Sequence, residues 1–272
     1  MMPPAATGVD AAAFAREIEN AGFRSVWFPG VNDPASLDAI EPFLSATKSL
    51  YVGSGIASVW HWDPKDLAAR ADRLSAAYGG RFILGLGASH APVVEQSGQA
   101  YVKPYTKTRE FLSALPEMAA PVVLAALGPK MLELSRDETL GAHPYFTPPE
   151  HTAFARETLG PGPLLIPELA VALAPGDEGL AHARAYASFY LQLPNYTQNL
   201  RKFGFGDADL QGDGSQRLIN AIVPNAPSLA ATRIREHLDA GADHVVIQLI
   251  GEGGRSAAGD LGELASLVRD LL

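Results

Sequence analysis

The chain has 272 residues, of which 47% are hydrophobic, so it can bury a large core as one or two domains. Its formal charge of -9, without a Lys/Arg cluster, argues against a nucleic-acid partner. It contains no cysteine, which excludes disulfides and thiolate metal sites, and no run of the roughly 18 apolar residues that a membrane span needs. We therefore expect a cytoplasmic globular protein with no membrane or nucleic-acid partner.

Short apolar runs alternate with longer helical patterns along the chain, which is typical of βα units and a parallel sheet. The predicted strands are 25–30, 50–58, 81–89, 121–127, 141–146, 164–173 and 244–250. The predicted helices include 10–21, 65–78, 107–118 and 260–272. Such a repeat closes as an eight-stranded TIM barrel or as an open doubly wound sheet, and the strand count favours the barrel.

Two stretches do not fit a regular βα repeat. Residues 1–9 contain two prolines and a glycine without strand alternation, so the first barrel strand is predicted to be missing or degenerate. Residues 176–236 form a helical stretch of about 60 residues, which is longer than an ordinary βα connection. We predict a single domain over residues 1–272, with a helical insertion at 176–236 before the last strand.

Glycines lie at the end of the third predicted strand, in "GLGASH". The third glycine of a dinucleotide-binding fingerprint is replaced by His90, and Pro92 follows without an immediate helix, so a Rossmann phosphate site is not predicted. At the end of a barrel strand, glycines allow a flat ligand to lie against the backbone. A tight turn or bulge without a ligand explains the same glycines equally well.

The segment "LGPKMLEL" places Lys130 at the start of a predicted helix, directly after Gly128 and Pro129. A helix start offers free N–H groups and the positive end of the helix dipole, so this position can hold an anion. An ordinary strand-to-helix turn with an exposed lysine is the alternative.

Three of the seven histidines, His61, His90 and His143, lie at or near the carboxyl ends of predicted strands. Barrel active sites lie at the carboxyl ends of the strands, so these histidines are candidate acid–base residues, with hydrogen-bonded side chains of a pocket wall as the alternative. Their surroundings lack metal-ligand spacing, and no Gly-x-Ser-x-Gly elbow predicts a serine nucleophile. Glu168 lies inside an apolar strand, so we expect it to be paired, hydrogen-bonded or neutral.

Six segments resemble, in order and spacing, the luciferase-like monooxygenase superfamily, and specifically its branch that depends on the deazaflavin coenzyme F420. They are "AREIENAGFRSVWFPG", "VGSGIASVWHWDP", "GRFILGLGASHAP", "LAALGPKMLEL", "GAHPYFTPPEH" and "HLDAGADHVVIQLI". The resemblance covers nearly the whole chain. It implies a TIM barrel that holds a flavin or deazaflavin ring at the carboxyl ends of its strands.

The resemblance also implies which residues bind the cofactor and the substrate. A non-prolyl cis peptide behind the ring is implied at Gly55–Ile56. The residues that match the family's ring-edge segment are Gly85, Gly87, Ala88 and Ser89. The residues that match the segments near the ribityl chain and phosphate are Gly128, Pro129, Lys130, Tyr145, Phe146 and Thr147. Trp60, His61 and Trp62 are implied on the substrate side of the ring, where aromatic faces can hold a flat substrate.

These expectations together predict an oxidoreductase that transfers a hydride between coenzyme F420 and a small organic substrate. His61 is the first candidate for proton transfer, followed by His90 and His143. Relatives often carry an acidic residue or a histidine after the second strand of their barrel, which corresponds to the predicted strand 25–30 of this chain. This chain has the sequence "PGVN" at 29–32, so no catalytic acid is predicted there. The alternatives are an FMN-dependent monooxygenase and a catalytically silent binding protein on the same barrel. The family implies a homodimer.

Overall fold

A computed structural model describes residues 10–254 and 261–269. The chain divides into two compact units, one that ends at His143 and one that begins at Pro144. The prediction of a missing or degenerate first strand concerns residues 1–9 and lies outside the described residues.

The N-terminal unit is built on parallel strands. They are β1 (Ser25–Phe28), β2 (Tyr51–Ser54), β3 (Ala57–Ser58), β4 (Phe82–Gly87), β5 (Val122–Leu124) and β6 (Gly141–Ala142). The order across the sheet is β1-β2-β4-β5-β6, and β3 pairs with the second half of β4. Because every pair is parallel, all carboxyl ends of these strands lie at the same edge of the sheet.

Helices connect these strands. They are α1 (Ala11–Asn20), α2 (Pro34–Asp38), α3 (Glu41–Ala46), α4 (Pro64–Ala77), α5 (Ala91–Gln96), α6 (Pro104–Ala114) and α7 (Pro129–Glu138). The sequence "DPKDL" starts α4 because the Asp63 carboxylate accepts hydrogen bonds from the backbone N–H groups of Lys65 and Asp66, with Pro64 at the first helical position. Apolar residues of α4 such as Leu67 and Leu74 are fully buried.

Two glycines let the central strands approach closely. A Cβ atom on Gly53 would lie 2.5 Å from Cε3 of Trp27, and one on Gly85 would lie 1.9 Å from the carbonyl oxygen of Ser54. The Ser54 hydroxyl donates to the Gly85 carbonyl over 2.9 Å and accepts from the Gly85 N–H over 2.8 Å. These glycines therefore serve the contact between β2 and β4 and the packing of Trp27.

The C-terminal unit contains β7 (Leu164–Leu165), β8 (Glu168–Val171) and β9 (Val246–Leu249). Strands β8 and β9 pair in parallel, from Glu168 opposite Val246 to Val171 opposite Leu249. The helices of this unit are α8 (Pro149–Leu159), α9 (Asp177–Tyr190), α10 (Pro194–Lys202), α11 (Asp207–Leu210), α12 (Gln216–Ile222), α13 (Pro227–Asp239) and α14 (Leu261–Arg269). The segment predicted as a helical insertion is thus helical in the structure.

The predicted α/β pattern is confirmed, since each of the seven predicted strands contains an observed one. Two of them are interrupted: residues 50–58 divide around Gly55–Ile56, and residues 164–173 divide around Ile166–Pro167. The helix predicted at 107–118 runs instead from Pro104 to Ala114. Proline suits the first helical position, and Pro116 disfavours helical geometry at Leu115, which explains both ends.

Candidate active site

Most of the predicted site residues of the N-terminal unit lie at or near the carboxyl ends of β3 and β4. Ser58 pairs with Gly87 at the ends of these two strands. The residues of β3 and all residues of β4 except Ile83 are buried, whereas Trp60, His61, Ser89 and His90, which follow these strands, are partly exposed. Ligands of parallel α/β folds bind at this edge.

A non-prolyl cis peptide is present at Gly55–Ile56, which confirms the implied position. The Gly55 N–H donates to the Phe28 carbonyl over 2.8 Å, and the Ile56 carbonyl accepts from the Val31 N–H over 3.2 Å. Gly55 and Ile56 are partly exposed between two buried strand segments. Their backbone therefore reaches the surface at the strand ends.

The predicted ring-edge segment continues from β4. A Cβ atom on Gly87 would lie 3.0 Å from Cβ of Ala125 and 3.1 Å from Cγ1 of Ile56, so a larger residue would crowd both neighbours. Ser89 has φ of 56°, in the left-handed region that few residues other than glycine adopt. The chain therefore turns sharply where the strand meets the loop before α5.

The Trp60 side chain is held by the neighbouring strand end. Its indole N–H donates to the Ala88 carbonyl over 2.8 Å, and its own carbonyl accepts from Nε2 of Gln99 over 2.6 Å. Its ring centroid lies 5.6 Å from that of Tyr101. Trp60 is thereby fixed beyond the strand ends while its ring stays partly exposed.

Trp62, the second predicted substrate-wall residue, is placed differently. Only 7% of it is exposed, and its indole N–H donates to the Val31 carbonyl over 2.9 Å. Of the two indoles, Trp60 is thus the one with an accessible face. The predicted substrate role of Trp62 stays a prediction.

The three candidate histidines lie in different environments. His61 is partly exposed, and its Nδ1 atom is buried without a hydrogen-bond partner among the described residues. His90 precedes α5, and burial lowers the pKa of its imidazole below the usual 6.5, which favours the neutral form. His143 is 2% exposed, with its ring stacked on Trp27 at a centroid distance of 4.5 Å.

The predicted phosphate segment begins α7. Gly128 is the extended residue before the helix, Pro129 is the first helical residue, and Lys130 is exposed. A Cβ atom on Gly128 would meet no atom within 4 Å, so the approach to the helix start is open. Lys130 forms no ion pair within the part of the chain that the structure describes.

The remaining predicted cofactor residues, Tyr145, Phe146 and Thr147, begin the C-terminal unit. Phe146 has φ of 55° and its ring stacks on Tyr190 at a centroid distance of 5.0 Å. The Thr147 hydroxyl is buried and has no hydrogen-bond partner among the described residues. A polar group of a ligand would satisfy it.

Tyr145 belongs to a cluster of phenols that the sequence analysis did not identify. Its hydroxyl forms hydrogen bonds with the hydroxyls of Tyr186 and, over 2.8 Å, Tyr190, and donates to Oε1 of Gln248 over 2.9 Å. Burial, followed by the effect of Tyr186, raises the pKa of Tyr145 well above its usual 10, so the phenol stays neutral. The spacing of Tyr186 and Tyr190, one helical turn apart in α9, is the sequence signal for this cluster.

Glu168 lies at the start of β8, where its backbone N–H donates to the Pro144 carbonyl over 3.0 Å. Glu168 is partly exposed and not deep in an apolar strand. Its backbone forms an isolated parallel β-bridge with that of Tyr145. Within the described residues, no group of three or more His, Cys, Asp or Glu side chains is arranged to hold a metal ion. In the same residues, no helix has the length and apolar character required to cross a membrane.

Residues 3–119 match the model of the luciferase-like monooxygenase family, which confirms the resemblance to that family over this part of the chain. A curated relative, 5,10-methylenetetrahydromethanopterin reductase of Methanolobus tindarius, is 25% identical over 156 residues, or 48% of each chain. This chain therefore spans about half the length of the curated relatives that it matches.

Solved structures match over almost the whole chain. The coenzyme F420 dependent tetrahydromethanopterin reductase of Methanopyrus kandleri has a TM-score of 0.72 at 17% identity, over 98% of this chain and 95% of that one. The oxygenating constituent of 3,6-diketocamphane monooxygenase of Pseudomonas putida, solved with FMN, has a TM-score of 0.67 at 14% identity, over 98% and 93%. The predicted TIM-barrel type of α/β fold is thereby confirmed.

Proposed function

We propose, from the match of residues 3–119 to the luciferase-like monooxygenase family, that this protein is an oxidoreductase that transfers a hydride between coenzyme F420 and a small organic substrate. The observation that carries the proposal is the group of partly exposed residues beyond the ends of β3 and β4, which includes Trp60, His61 and His90. Barrel enzymes place their reacting groups at this end of the strands. The coenzyme F420 dependent reductase of Methanopyrus kandleri, which shares the fold, supports F420 as the cofactor.

The residues at these strand ends fit a flat tricyclic ring. Gly55 has no side chain and Ala88 only a methyl group, and both are partly exposed, so a ring can approach their backbone. Gly87 leaves room for Ile56 beside it, and Ser89 completes this predicted ring-binding group. A bound deazaflavin supplies a two-electron hydride carrier, while the protein supplies orientation and a shielded pocket.

The other predicted cofactor residues are assigned on the resemblance. Gly128, Pro129 and Lys130 offer an open helix start and an exposed cation, which suit a phosphate group. The unpaired buried hydroxyl of Thr147 suits a polar ligand group as well. Tyr145 and Phe146 keep their predicted role as neighbours of the ribityl chain.

We assign proton transfer to His61, because its buried Nδ1 has no partner among the described residues while the side chain is partly exposed. His90 is the second candidate, since its lowered pKa keeps the imidazole neutral and able to accept a proton near pH 7. His143 is the third, and its stacking on Trp27 gives it the least access to a substrate. A His61→Asn enzyme that turns over as fast as the unmodified one would remove the first assignment.

Parallel titrations of the purified protein with coenzyme F420 and with FMN, followed by cofactor absorbance and fluorescence, test the proposal. We expect saturable binding of F420 at lower concentrations than FMN. Tighter binding of FMN, with oxygen consumption when the flavin is reduced, would favour the alternative of a flavin monooxygenase, which the fold shared with the FMN-bound neighbour supports. Binding of neither cofactor would contradict both enzyme functions and leave the catalytically silent binding protein.

Two further parts of the proposal concern assembly. We propose a single barrel domain over residues 1–272 and a homodimer, both on the resemblance to the family. Light scattering coupled to size-exclusion chromatography measures the mass directly. A mass equal to the 28.7 kDa of one chain would contradict the dimer.

A further inference from the structure

Lys107, in α6, differs from every other lysine of the chain. All lysines lie in the described residues, and Lys107 alone is partly buried, while the exposed ones are Lys48, Lys65, Lys103, Lys130 and Lys202. Its ammonium lies 5.5 Å from the centroid of the Trp60 ring. It forms no ion pair with a carboxylate within the described part of the chain. An anion stabilises a partly buried cation, because water solvates such a cation incompletely.

The aromatic residues beside this ammonium are held in place before any ligand arrives. Three hydrogen bonds fix Trp60: its indole N–H donates to the Ala88 carbonyl, its backbone N–H donates to the Ser58 hydroxyl, and its carbonyl accepts from Gln99. The hydroxyl of Tyr101 donates to the Ser89 carbonyl over 3.3 Å, so the second ring is anchored to the same strand end. A platform of this kind loses little conformational freedom on binding.

The position of the platform connects it to the reaction. Trp60 lies two residues beyond β3 and Ala88 directly follows β4, and the same two loops carry His61 and His90. A substrate at this edge would meet apolar ring faces and one positive charge together. Aromatic faces favour a planar or apolar body, and an ammonium favours a carboxylate or another anionic group.

We propose that Lys107 binds the anionic group of the substrate, whose planar part lies against Trp60 and Tyr101. The substrate class is therefore a planar organic anion, such as an aromatic carboxylate. This inference rests on the proposed function for the statement that the ligand is the substrate. The anion site itself rests on the contacts of Lys107 and Trp60.

The test compares two probes that differ in charge, 2-naphthoate and the neutral 2-naphthamide, by calorimetric titration of the purified protein, first alone and then with an excess of cofactor. Lys107→Met keeps the apolar stem and removes the charge, Lys107→Arg keeps the charge, and Lys103→Met removes an exposed charge from the residue that precedes the same helix. We expect Lys107→Met to weaken naphthoate binding about tenfold, as the loss of a charge-assisted contact does, and to leave naphthamide unchanged. Lys107→Arg and Lys103→Met should keep the naphthoate affinity within about twofold.

Equal naphthoate affinity in the unmodified protein and in Lys107→Met would overturn the inference, as would no measurable naphthoate binding to the unmodified protein. Trp60→Leu should weaken both probes, because it removes the ring that the two share; a loss confined to naphthoate would contradict the proposed stacking. If neither F420 nor FMN binds but naphthoate still depends on Lys107, the proposed function fails and the anion site stands. If a cofactor binds and the naphthoate affinity does not depend on Lys107, only this inference fails.

Discussion

His237 is a fully buried histidine in α13, with its Nδ1 2.8 Å from the Thr152 hydroxyl. Burial, followed by the charges of His151 and Arg233, lowers the pKa of its imidazole from 6.5 to about 3. The unfolded chain therefore takes up a proton at a higher pH than the folded one. The stability that neutral His237 provides is complete above pH 6.5 and is lost as the pH falls from 6.5 towards 3.

The lowered pKa of His237 predicts that the free energy of unfolding falls in acid and that one residue causes part of this fall. Between pH 7 and pH 5, the buried imidazole should lower the free energy of unfolding by about 2 kcal/mol, at about 1.4 kcal/mol per pH unit below 6.5. Urea unfolding at both values measures it, and the double substitution Thr152→Val/His237→Leu should remove this part of the pH dependence. Thr152→Val alone keeps the imidazole and serves as the control. An unchanged pH dependence in the double variant would contradict the prediction.

Residue chemistry of this kind was predictable from the sequence only in part. The glycines and histidines at the strand ends were visible because short strands end at recognisable positions. The contact of Lys107 with Trp60 was not, since it joins a helix to a loop that lies far away in the sequence. Local patterns carry no information on which loops meet.

At the scale of elements, Arg156 ties α8 to the strands that follow it. Its guanidinium donates to the carbonyls of Gly160, Pro163 and Gly241 over 2.7, 2.9 and 2.9 Å. Its fourth partner is Oδ2 of Asp243 at 2.6 Å. One side chain thus fixes the end of α8 and the chain before β7 and β9.

Replacing Arg156 by lysine should destabilise the protein, because an ammonium cannot reach four acceptors that the planar guanidinium contacts together. We expect a loss of about 2–4 kcal/mol in the free energy of unfolding, from several hydrogen bonds to a charged group. Arg136→Lys is the matched control, since Arg136 is exposed and pairs with the adjacent Asp137, and it should change the stability by less than about 0.5 kcal/mol. Equal losses in the two variants, measured by urea unfolding, would count against this role of Arg156.

The elements themselves followed well from the sequence, and their interruptions did not. Continuous apolar runs located seven regions that each contain an observed strand, because strands buried on both faces carry few polar residues. The breaks at Gly55–Ile56 and Ile166–Pro167 fall inside apolar runs, so the hydrophobic pattern alone does not show them. The position of the cis peptide came from the resemblance and not from the pattern.

At the scale of the whole molecule, a bound cofactor raises the free energy of unfolding. A ligand that binds only the folded protein at about 100 times its Kd adds about 2.7 kcal/mol of stability. For a chain of this size, that corresponds to a rise in Tm of roughly 5–10 °C. Thermal unfolding with F420 or FMN therefore reports binding without any knowledge of the substrate.

The same measurement tests the predicted phosphate contact of Lys130 at the start of α7. Lys130→Met should weaken FMN binding about tenfold and remove about 1.4 kcal/mol, which is about half of the rise in Tm at the same FMN concentration. Riboflavin has the same ring without the phosphate, so its smaller rise should be equal in Lys130→Met and in the unmodified protein. Lys103→Met controls for the loss of one surface charge elsewhere. Equal FMN-induced rises in all three proteins would show that Lys130 does not contact the phosphate, because a phosphate neighbour affects only the ligand that carries one.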